Sequence, residues 1–314
     1  MNIRELHQRF GTDEECLQYI QQMRWPDGVI RCPVCGCDKV VRVERKSESK
    51  NKRGWFFLCQ EPTCRNQFSP TSGTIFHDTH LPLIVWFAAI ALMLNAKKGL
   101  SAKQLQRDLG IGGYKTAWYL NHRIREVMQE IGQPKLGGIV EIDETYIGGK
   151  TIRRTDRGKY RTKDAVVGMI QRGGQLRFRH IGKGSATAKA ITPLVEAHVS
   201  SDVQRIMTDQ STIYPFGLPK EQLPKHETVD HSREYVHGDV HTNTLECAFS
   251  LLKRGIVGNF HRVSIKHLQR YLNEFEYRFN RRSAKADDAF IETVCRLAGF
   301  KPLTFASLTA DEQA

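Results

Sequence analysis

Three carboxylates and a lysine carry the chemistry that this sequence suggests. Ile139-Val-Glu141-Ile-Asp143-Glu144-Thr-Tyr-Ile-Gly-Gly149 is an apolar run whose alternation predicts a strand. It puts Glu141 and Asp143 on one face, with Asp143 near the strand end before a glycine turn. Ile206-Met-Thr-Asp209 is a second short apolar strand that ends in an aspartate. His241-Thr-Asn-Thr-Leu-Glu246 opens a stretch where Leu245, Phe249, Leu252 and Ile256 recur at three- and four-residue steps, the period of a helix with one apolar side. Thr242 or Asn243 offers a side-chain oxygen to cap its start. Glu246 and Lys253 lie two helical turns apart, so they return to nearly the same face. Carboxylate oxygens suit hard divalent cations, and two strand-borne aspartates with a helix-borne glutamate match the needs of a two-metal phosphoryl-transfer site. Each acid alone reads more simply as a cap, a turn residue or part of a solvated face. The order of the three together sets them apart.

A second constellation is made of cysteines. Cys32-Pro-Val-Cys35-Gly is a metal knuckle in which Gly36 allows the tight turn that aims both sulfurs inward. Cys59-Gln-Glu-Pro-Thr-Cys64 is the second pair, with a gap of four residues where two are usual, so its loop must bulge. Cys37 is a substitute ligand on spacing alone. Four thiolates from two turns make one structural Zn²⁺ site, which a thin β segment needs because its own core is small. Cys16, Cys247 and Cys295 are isolated and read as small core hydrophobes.

Composition narrows the partners. The 314 residues carry a net charge of +13, which favours a polyanion and, above all, nucleic acid. No secretory leader pattern opens the sequence, so reduced metal-binding thiols are expected, in a cytoplasmic and nucleoid-associated protein. The longest apolar run, 81–94, is too short to span a bilayer, and no membrane contact is expected.

The elements that must position these residues fall into five segments: an N-terminal helical segment (1–29), with a capping box at Thr12 and Glu15, a cysteine-rich β segment (30–78), a helical segment (79–132), an α/β segment (138–282), and a C-terminal helix and tail (283–314). Within the helical segment, Leu100 to Trp118 resembles a helix-turn-helix, with Ser101 as cap and Gly110 as stop. Its second helix carries Tyr114, Lys115, Thr116, Asn121, His122 and Arg123, and Lys115 and Arg123 are its candidate DNA contacts. In the α/β segment strands are expected at 139–142, 165–171, 176–181 and 204–208, and helices at 186–199, near 243–255 and 264–282, with a further helix at 288–298. Basic residues follow the first acidic strand (Lys150, Arg153, Arg154, Arg157, Lys159, Arg161, Lys163) and continue after the third acid (Arg254, Arg262, Lys266, Arg270, Arg278, Arg281, Arg282). Phosphate contacts of this kind position DNA without reading its sequence. His226, His231, His237 and His241 are spaced for no single helix face, which favours local structure or DNA contact over a second metal site.

Taken together, Asp143-Glu144-Thr-Tyr, Thr208-Asp209, His231-Ser-Arg-Glu-Tyr235 and His241-Thr-Asn-Thr-Leu-Glu246 through Lys253-Arg254-Gly resemble bacterial insertion-sequence transposases of the acidic-triad (DDE) type. The specific group is the one whose N-terminal zinc ribbon ends in Phe68-Ser-Pro-Thr-Ser-Gly73-Thr-Ile-Phe76. The resemblance covers about 30 to 282. It implies a ribonuclease-H-like, retroviral-integrase-like catalytic domain behind a small β zinc ribbon and a helix-turn-helix-like domain. It also implies two catalytic Mg²⁺ ions, with Mn²⁺ as an alternative, held by Asp143, Asp209 and Glu246, with Lys253 as the basic residue after the third acid. Some members carry Asn at the third position, which makes Asn243 a rival for Glu246. The implied reaction is cleavage at element ends and transfer of 3′-hydroxyls to target DNA, by a homo-oligomer assembled on double-stranded DNA with terminal inverted repeats. Two other readings stay open: a structure-selective nuclease, and a zinc-ribbon and helix-turn-helix regulator derived from a transposase.

Overall fold

Capping decides the first two helices of the computed structural model, which describes residues 1–45, 54–148, 153–155, 158–160, 163–184, 186–229 and 239–310. Helix α1 (Ile3–Arg9) starts at Asn2 and α2 (Asp13–Arg24) at Thr12. In each, the cap side chain accepts the N–H of a glutamate three residues on, and that glutamate accepts the cap's own N–H. The expected Thr12–Glu15 box is present. Strands β1 (Val40–Glu44), β2 (Trp55–Cys59) and β3 (Gln67–Phe68) follow as an antiparallel sheet in the order β1-β2-β3. The apolar run becomes α3 (Leu83–Asn95), and α4 (Ala102–Asp108) and α5 (Tyr114–Val127) lie on either side of Gly110, whose φ of +62° suits the turn between them.

The chain divides into two compact units, one made of Met1–Ala96, Ala102–Val127 and Ala284–Ala314, the other of Lys97–Ser101 and Met128–Ser283. The last two helices, α10 (Ala286–Gly299) and α11 (Phe305–Thr309), therefore belong with the N-terminal elements. The Phe10 ring lies 4.9 Å from both Tyr19 and Phe87, and Phe87 lies 5.6 Å from Phe290 of α10. Four aromatics from the two ends of the sequence thus share one core. No helix among the described residues is long and apolar enough to cross a membrane.

The second unit is built on β4 (Ile139–Ile147), β5 (Arg153–Thr155), β6 (Gly158–Tyr160), β7 (Asp164–Gln171), β8 (Leu176–Lys183), α6 (Ala188–His198), β9 (Arg205–Asp209), α7 (Ile213–Gly217), β10 (His226–Val229), α8 (Asn243–Gly255) and α9 (Leu268–Asn280). Its main sheet runs β10-β9-β4-β7-β8, with β5 and β6 as a separate hairpin. Strands β4, β7 and β8 pair antiparallel, while β9 and β10 are added parallel on the other side of β4. Val140 and Ile142 share a core with Ile191 and Val195 of α6 and with Tyr214 of α7. On the opposite face Val166, Ile170 and Phe178 pack against Leu245, Phe249 and Leu252 of α8 and Leu272 and Phe275 of α9. Each such side chain contributes about 1.5–3 kcal/mol by leaving water.

Helix α9 also closes the outer edge of β8. The N–H groups of Leu176, Phe178 and His180 donate to Asn280 Oδ1, Glu276 Oε2 and Gln269 Oε1 at 2.7, 2.9 and 2.8 Å. These three acceptors lie along one side of the helix and stand where a neighbouring strand would pair. Several details depart from the sequence reading. Strand β4 continues to Ile147, so Asp143 lies within it, and α9 starts later than expected, after a 3-10 turn at Ile265–His267. Strand β10 and helix α7 were not anticipated, because each is too short for a periodic signal.

Candidate functional site

The acidic residues meet where two strands part. The parallel ladder between β4 and β9 runs from Ile139–Arg205 to Glu141–Met207 and goes no further. Asp143 and Asp209 stand two residues beyond that last pair, one on each side of the opening. Beyond it β4 keeps only β7 as its neighbour, with Asp143 opposite Gly168. Side-chain hydrogen bonds hold both aspartates: Asp143 Oδ1 accepts the Glu144 N–H at 2.7 Å and Asp209 Oδ1 accepts the Ser211 N–H at 3.0 Å. Burial, followed by the negative charges of Glu144, Asp209 and Glu246, pushes the Asp143 carboxyl up to about 7. The third acid is therefore close enough to be felt at the first.

Helix α8 brings Glu246 there, and Gly168 sets how near the helix comes. A Cβ on Gly168 would stand 2.7 Å from Leu245 Cδ1 and from Phe249 Cζ, and 3.0 Å from Phe178 Cε1. The helix start is held by a residue that the sequence reading assigned no role. Thr242 occupies the cap position but makes no capping bond, and its hydroxyl donates to Glu246 Oε1 at 3.1 Å. The Leu245 N–H, which a cap would take, donates instead to Glu141 Oε2 at 2.9 Å, and the Thr244 hydroxyl donates to Glu141 Oε1 at 2.9 Å. The expected cap from Thr242 or Asn243 is thus replaced by a carboxylate from β4. Arg172 pairs with Glu141 through Nε at 2.7 Å and donates to the carbonyls of Asp239 and His241, both at 2.8 Å. On the other face of β4, Glu144 Oε2 accepts the Tyr214 hydroxyl at 2.6 Å. Burial and the nearby Glu144 charge hold that phenol well above its usual range, so it stays a donor. Glu246, Asn243 and Lys253 are all exposed on α8, with Glu246 and Lys253 two turns apart as expected.

The four cysteines form the tighter cluster. The Sγ atoms of Cys32, Cys35, Cys59 and Cys64 all lie within 4.8 Å of one another. Cys32 and Cys64 are 3.8 Å apart, and Cys35 and Cys59 are 3.6 Å apart. Zinc bonded tetrahedrally at about 2.3 Å requires sulfurs about 3.8 Å apart, so the residues fit one structural Zn²⁺. The carboxylates of Asp143, Asp209 and Glu246 are not drawn together to that degree. The long Cys59–Cys64 gap is absorbed by a turn in which Glu61 O accepts the N–H groups of Cys64 and Arg65, with Arg65 at φ +47°. Cys37 stays outside the group, its sulfur accepting the Lys39 N–H at 3.4 Å. Cys16 is buried as expected, but Cys247 and Cys295 are exposed, because they fall on the solvent sides of α8 and α10.

The candidate DNA contacts divide. Arg123 is 4% exposed and donates to the carbonyls of Ile75 and His77, with its guanidinium over Trp86 and Tyr119, so it holds the first unit together and is not a surface cation. Asn121 and His122 are buried beside it, and only the first turn of α5, Tyr114 to Thr116, is exposed. Lys115 is exposed there, its ammonium 4.2 Å from the centre of the Phe305 ring. Arg254 and Arg262 are exposed, and Lys163 and Lys266 are partly so. Arg278 and Arg281 turn inward to Glu274 and Glu130. Arg153, Arg154 and Lys159 lie on the β5–β6 ladder, while Lys150, Arg157, Arg161, His231, Tyr235 and His237 fall outside the described residues. His226 shares a hydrogen bond with Thr208, and His241 packs against Arg172, so both serve local structure.

Comparison with known proteins adds to this geometry. Residues 135–280 match the ISXO2-like transposase domain, and residues 11–67 match a transposase zinc-ribbon domain. A protein from Halobacterium salinarum, described as an uncharacterized protein in transposable element ISH50, is 27% identical over 303 residues. That similarity covers 90% of this chain and 97% of the relative.

Proposed function

Because the chain belongs to the insertion-sequence DDE transposases with an N-terminal zinc ribbon, we propose that its second unit cuts DNA at element ends and joins the 3′-hydroxyls to target DNA, with Asp143, Asp209 and Glu246 holding two Mg²⁺ or Mn²⁺ ions. The observation that carries the proposal is the opening between β4 and β9, where two aspartates flank a gap and a helix-borne glutamate adds its charge. Burial and neighbouring negative charge oppose ionisation of Asp143, a cost that a divalent cation relieves, and hard cations want oxygen donors of this kind. The sheet order supports a ribonuclease-H-like reading: three antiparallel strands, then two parallel ones beside the first. Glu246 is preferred to Asn243 because two divalent ions need negative charge from their ligands, and an amide supplies none.

When bound, the ions supply Lewis-acid stabilisation of the phosphate being attacked and lower the pKa of the attacking hydroxyl. The side chains do the rest. Lys253, two turns beyond Glu246, places a positive charge along the strand held at the acids and fixes the phosphate beside the scissile bond. Arg254, Arg262, Lys266 and Lys163 hold the phosphates farther out, as do Arg153, Arg154, Arg157, Lys159 and Arg161. In the first unit, α4 and α5 serve as a helix-turn-helix that presents the first turn of α5, including Lys115, to the terminal inverted repeats. Two or more copies assemble on the paired DNA ends. The setting is the cytoplasm, at the nucleoid.

A strand-transfer assay with a labelled element end tests this. Asp143→Asn, Asp209→Asn and Glu246→Gln should each lower cleavage and joining at least about a hundredfold, the consequence of losing several kcal/mol of transition-state stabilisation. DNA binding should be retained. Asn243→Ala should stay within a few fold of wild type, and Lys253→Ala should lose about ten- to a hundredfold in joining. Near-normal cleavage by Asp209→Asn would sink the assignment. Cutting without joining would leave a structure-selective nuclease, and binding with neither would leave a DNA-binding regulator.

A further inference from the structure

Glu141 shares a face of β4 with Asp143, yet it is fully buried. Two readings compete: another metal-binding acid, or a fixture for the helix that carries Glu246. Its contacts decide against the first. One oxygen takes Arg172 Nε and the Thr244 hydroxyl, with His241 Nδ1 at 3.5 Å, and the other takes the Leu245 N–H. A carboxylate enclosed in this way, with three donors on its two oxygens and an arginine as its counter-charge, is committed to the helix start.

The same contacts give it a second task. A helix start needs an acceptor for the N–H groups of its first turn, and a short residue at the cap normally supplies one. Here the acceptor comes from a strand, so the start of α8 is registered against β4 itself. The anchored N–H belongs to Leu245, one residue before Glu246, and the anchoring carboxylate lies two residues before Asp143. Thr242, relieved of capping, directs its hydroxyl to Glu246. Through Asp239 and His241, Arg172 fixes the segment that leads into the helix.

We propose that Glu141 is a positioning residue that holds Glu246 in place relative to Asp143, so that it governs how tightly the site binds its metal and not how the chain binds DNA. This rests on reading Asp143, Asp209 and Glu246 as the metal ligands. Glutamine at this position would turn an NH₂ toward the Leu245 N–H or toward Arg172 and Thr244, and donor facing donor loosens the helix start.

The test is thermal melting of the full chain titrated with MnCl₂ without DNA, alongside end cleavage over the same range. Wild type should melt higher as Mn²⁺ is added, and Asp143→Asn should lose that response. Glu141→Gln should raise the Mn²⁺ concentration at half effect about ten- to a hundredfold in both measurements, in line with partners that orient metal ligands. Cleavage at saturating Mn²⁺ should return to within a few fold of wild type, and DNA binding in EDTA should be unchanged. Thr244→Val removes one donor from the helix side and should shift the half-point several-fold, which covers the case in which Glu141→Gln does not fold. Glu276→Gln alters a comparably buried carboxylate that holds α9 to β8, and it should lower the melting temperature while leaving the Mn²⁺ half-point in place. An unchanged half-point in the Glu141 and Thr244 variants, or an equal shift in Glu276→Gln, overturns the positioning role. A wild type without a Mn²⁺ response, or an Asp143→Asn that keeps one, instead overturns the reading of the three acids, and the positioning role falls with it.

Discussion

Asp143 brings together two demands that oppose each other in the metal-free protein. Its carboxyl is half-buried and feels the negative charge of three other acids, so the folded chain holds it protonated up to about pH 7, while an unfolded chain releases the proton near 4. Between those values the folded state binds the extra proton, so stability falls as pH rises across that window and then levels off. Melting without divalent metal should therefore be lower at pH 8 than at pH 5.5. Asp143→Asn, which carries no charge, should remove this part of the slope and melt higher than wild type at pH 8, by about 2–4 °C for each kcal/mol relieved. The stabilisation given by added Mg²⁺ should grow from pH 5.5 to pH 8, because the cation competes with the proton. A Mg²⁺ effect independent of pH would show that Asp143 is not where the metal binds.

Among the elements, α8 decides whether the site exists, and its approach is set by the sheet beneath it. Gly168 faces that helix without a side chain, and an added Cβ meets Leu245 and Phe249 well inside contact distance. Gly168→Ala should cost about 1–3 kcal/mol through overpacking. Because Glu246 rides on the displaced helix, joining should fall further than the lost stability explains. Urea unfolding and strand transfer on the same preparation separate the two effects, and loss in proportion to the unfolded fraction alone would mean the helix has slack. This arrangement was only partly legible in the sequence. The stripe of Leu245, Phe249, Leu252 and Ile256 announces the helix, since periodicity is a local property, and all four are buried. That Glu141 caps it is invisible, because the capping groups are separated by 103 and 104 residues and no local signal links them. The same parity that set Glu141 beside Asp143 left open which of the two would face the opening. Arg123 was misread for a related reason: its position on an amphipathic helix says cationic, but the carbonyls of Ile75 and His77 that enclose it come from a turn 48 and 46 residues earlier.

At the scale of the whole molecule, the first unit is assembled from three separate stretches, one of which includes the cysteine cluster. The β1-β2-β3 sheet has a thin core of Trp55, Phe57 and Phe68, with Trp25 against it, so zinc supplies much of what holds it folded. Metal analysis should find one zinc per chain, and chelation should expose the 30–68 region to protease. The melting response of the second unit to Mn²⁺ should persist, since its core draws on none of these residues. A chain that keeps its protease resistance after zinc is removed would show that the sheet stands without the metal.

The closed edge of β8 has a consequence for how copies of this chain can meet. A sheet grows across molecules by lending its outermost amides to a newcomer, and the amides of Leu176, Phe178 and His180 are already bonded to Asn280, Glu276 and Gln269 of the chain's own α9. Any contact between copies on this flank must therefore proceed through side-chain surfaces and not through added strands. A chain produced in excess, or waiting without DNA, has no sticky border there from which a fibre could be templated.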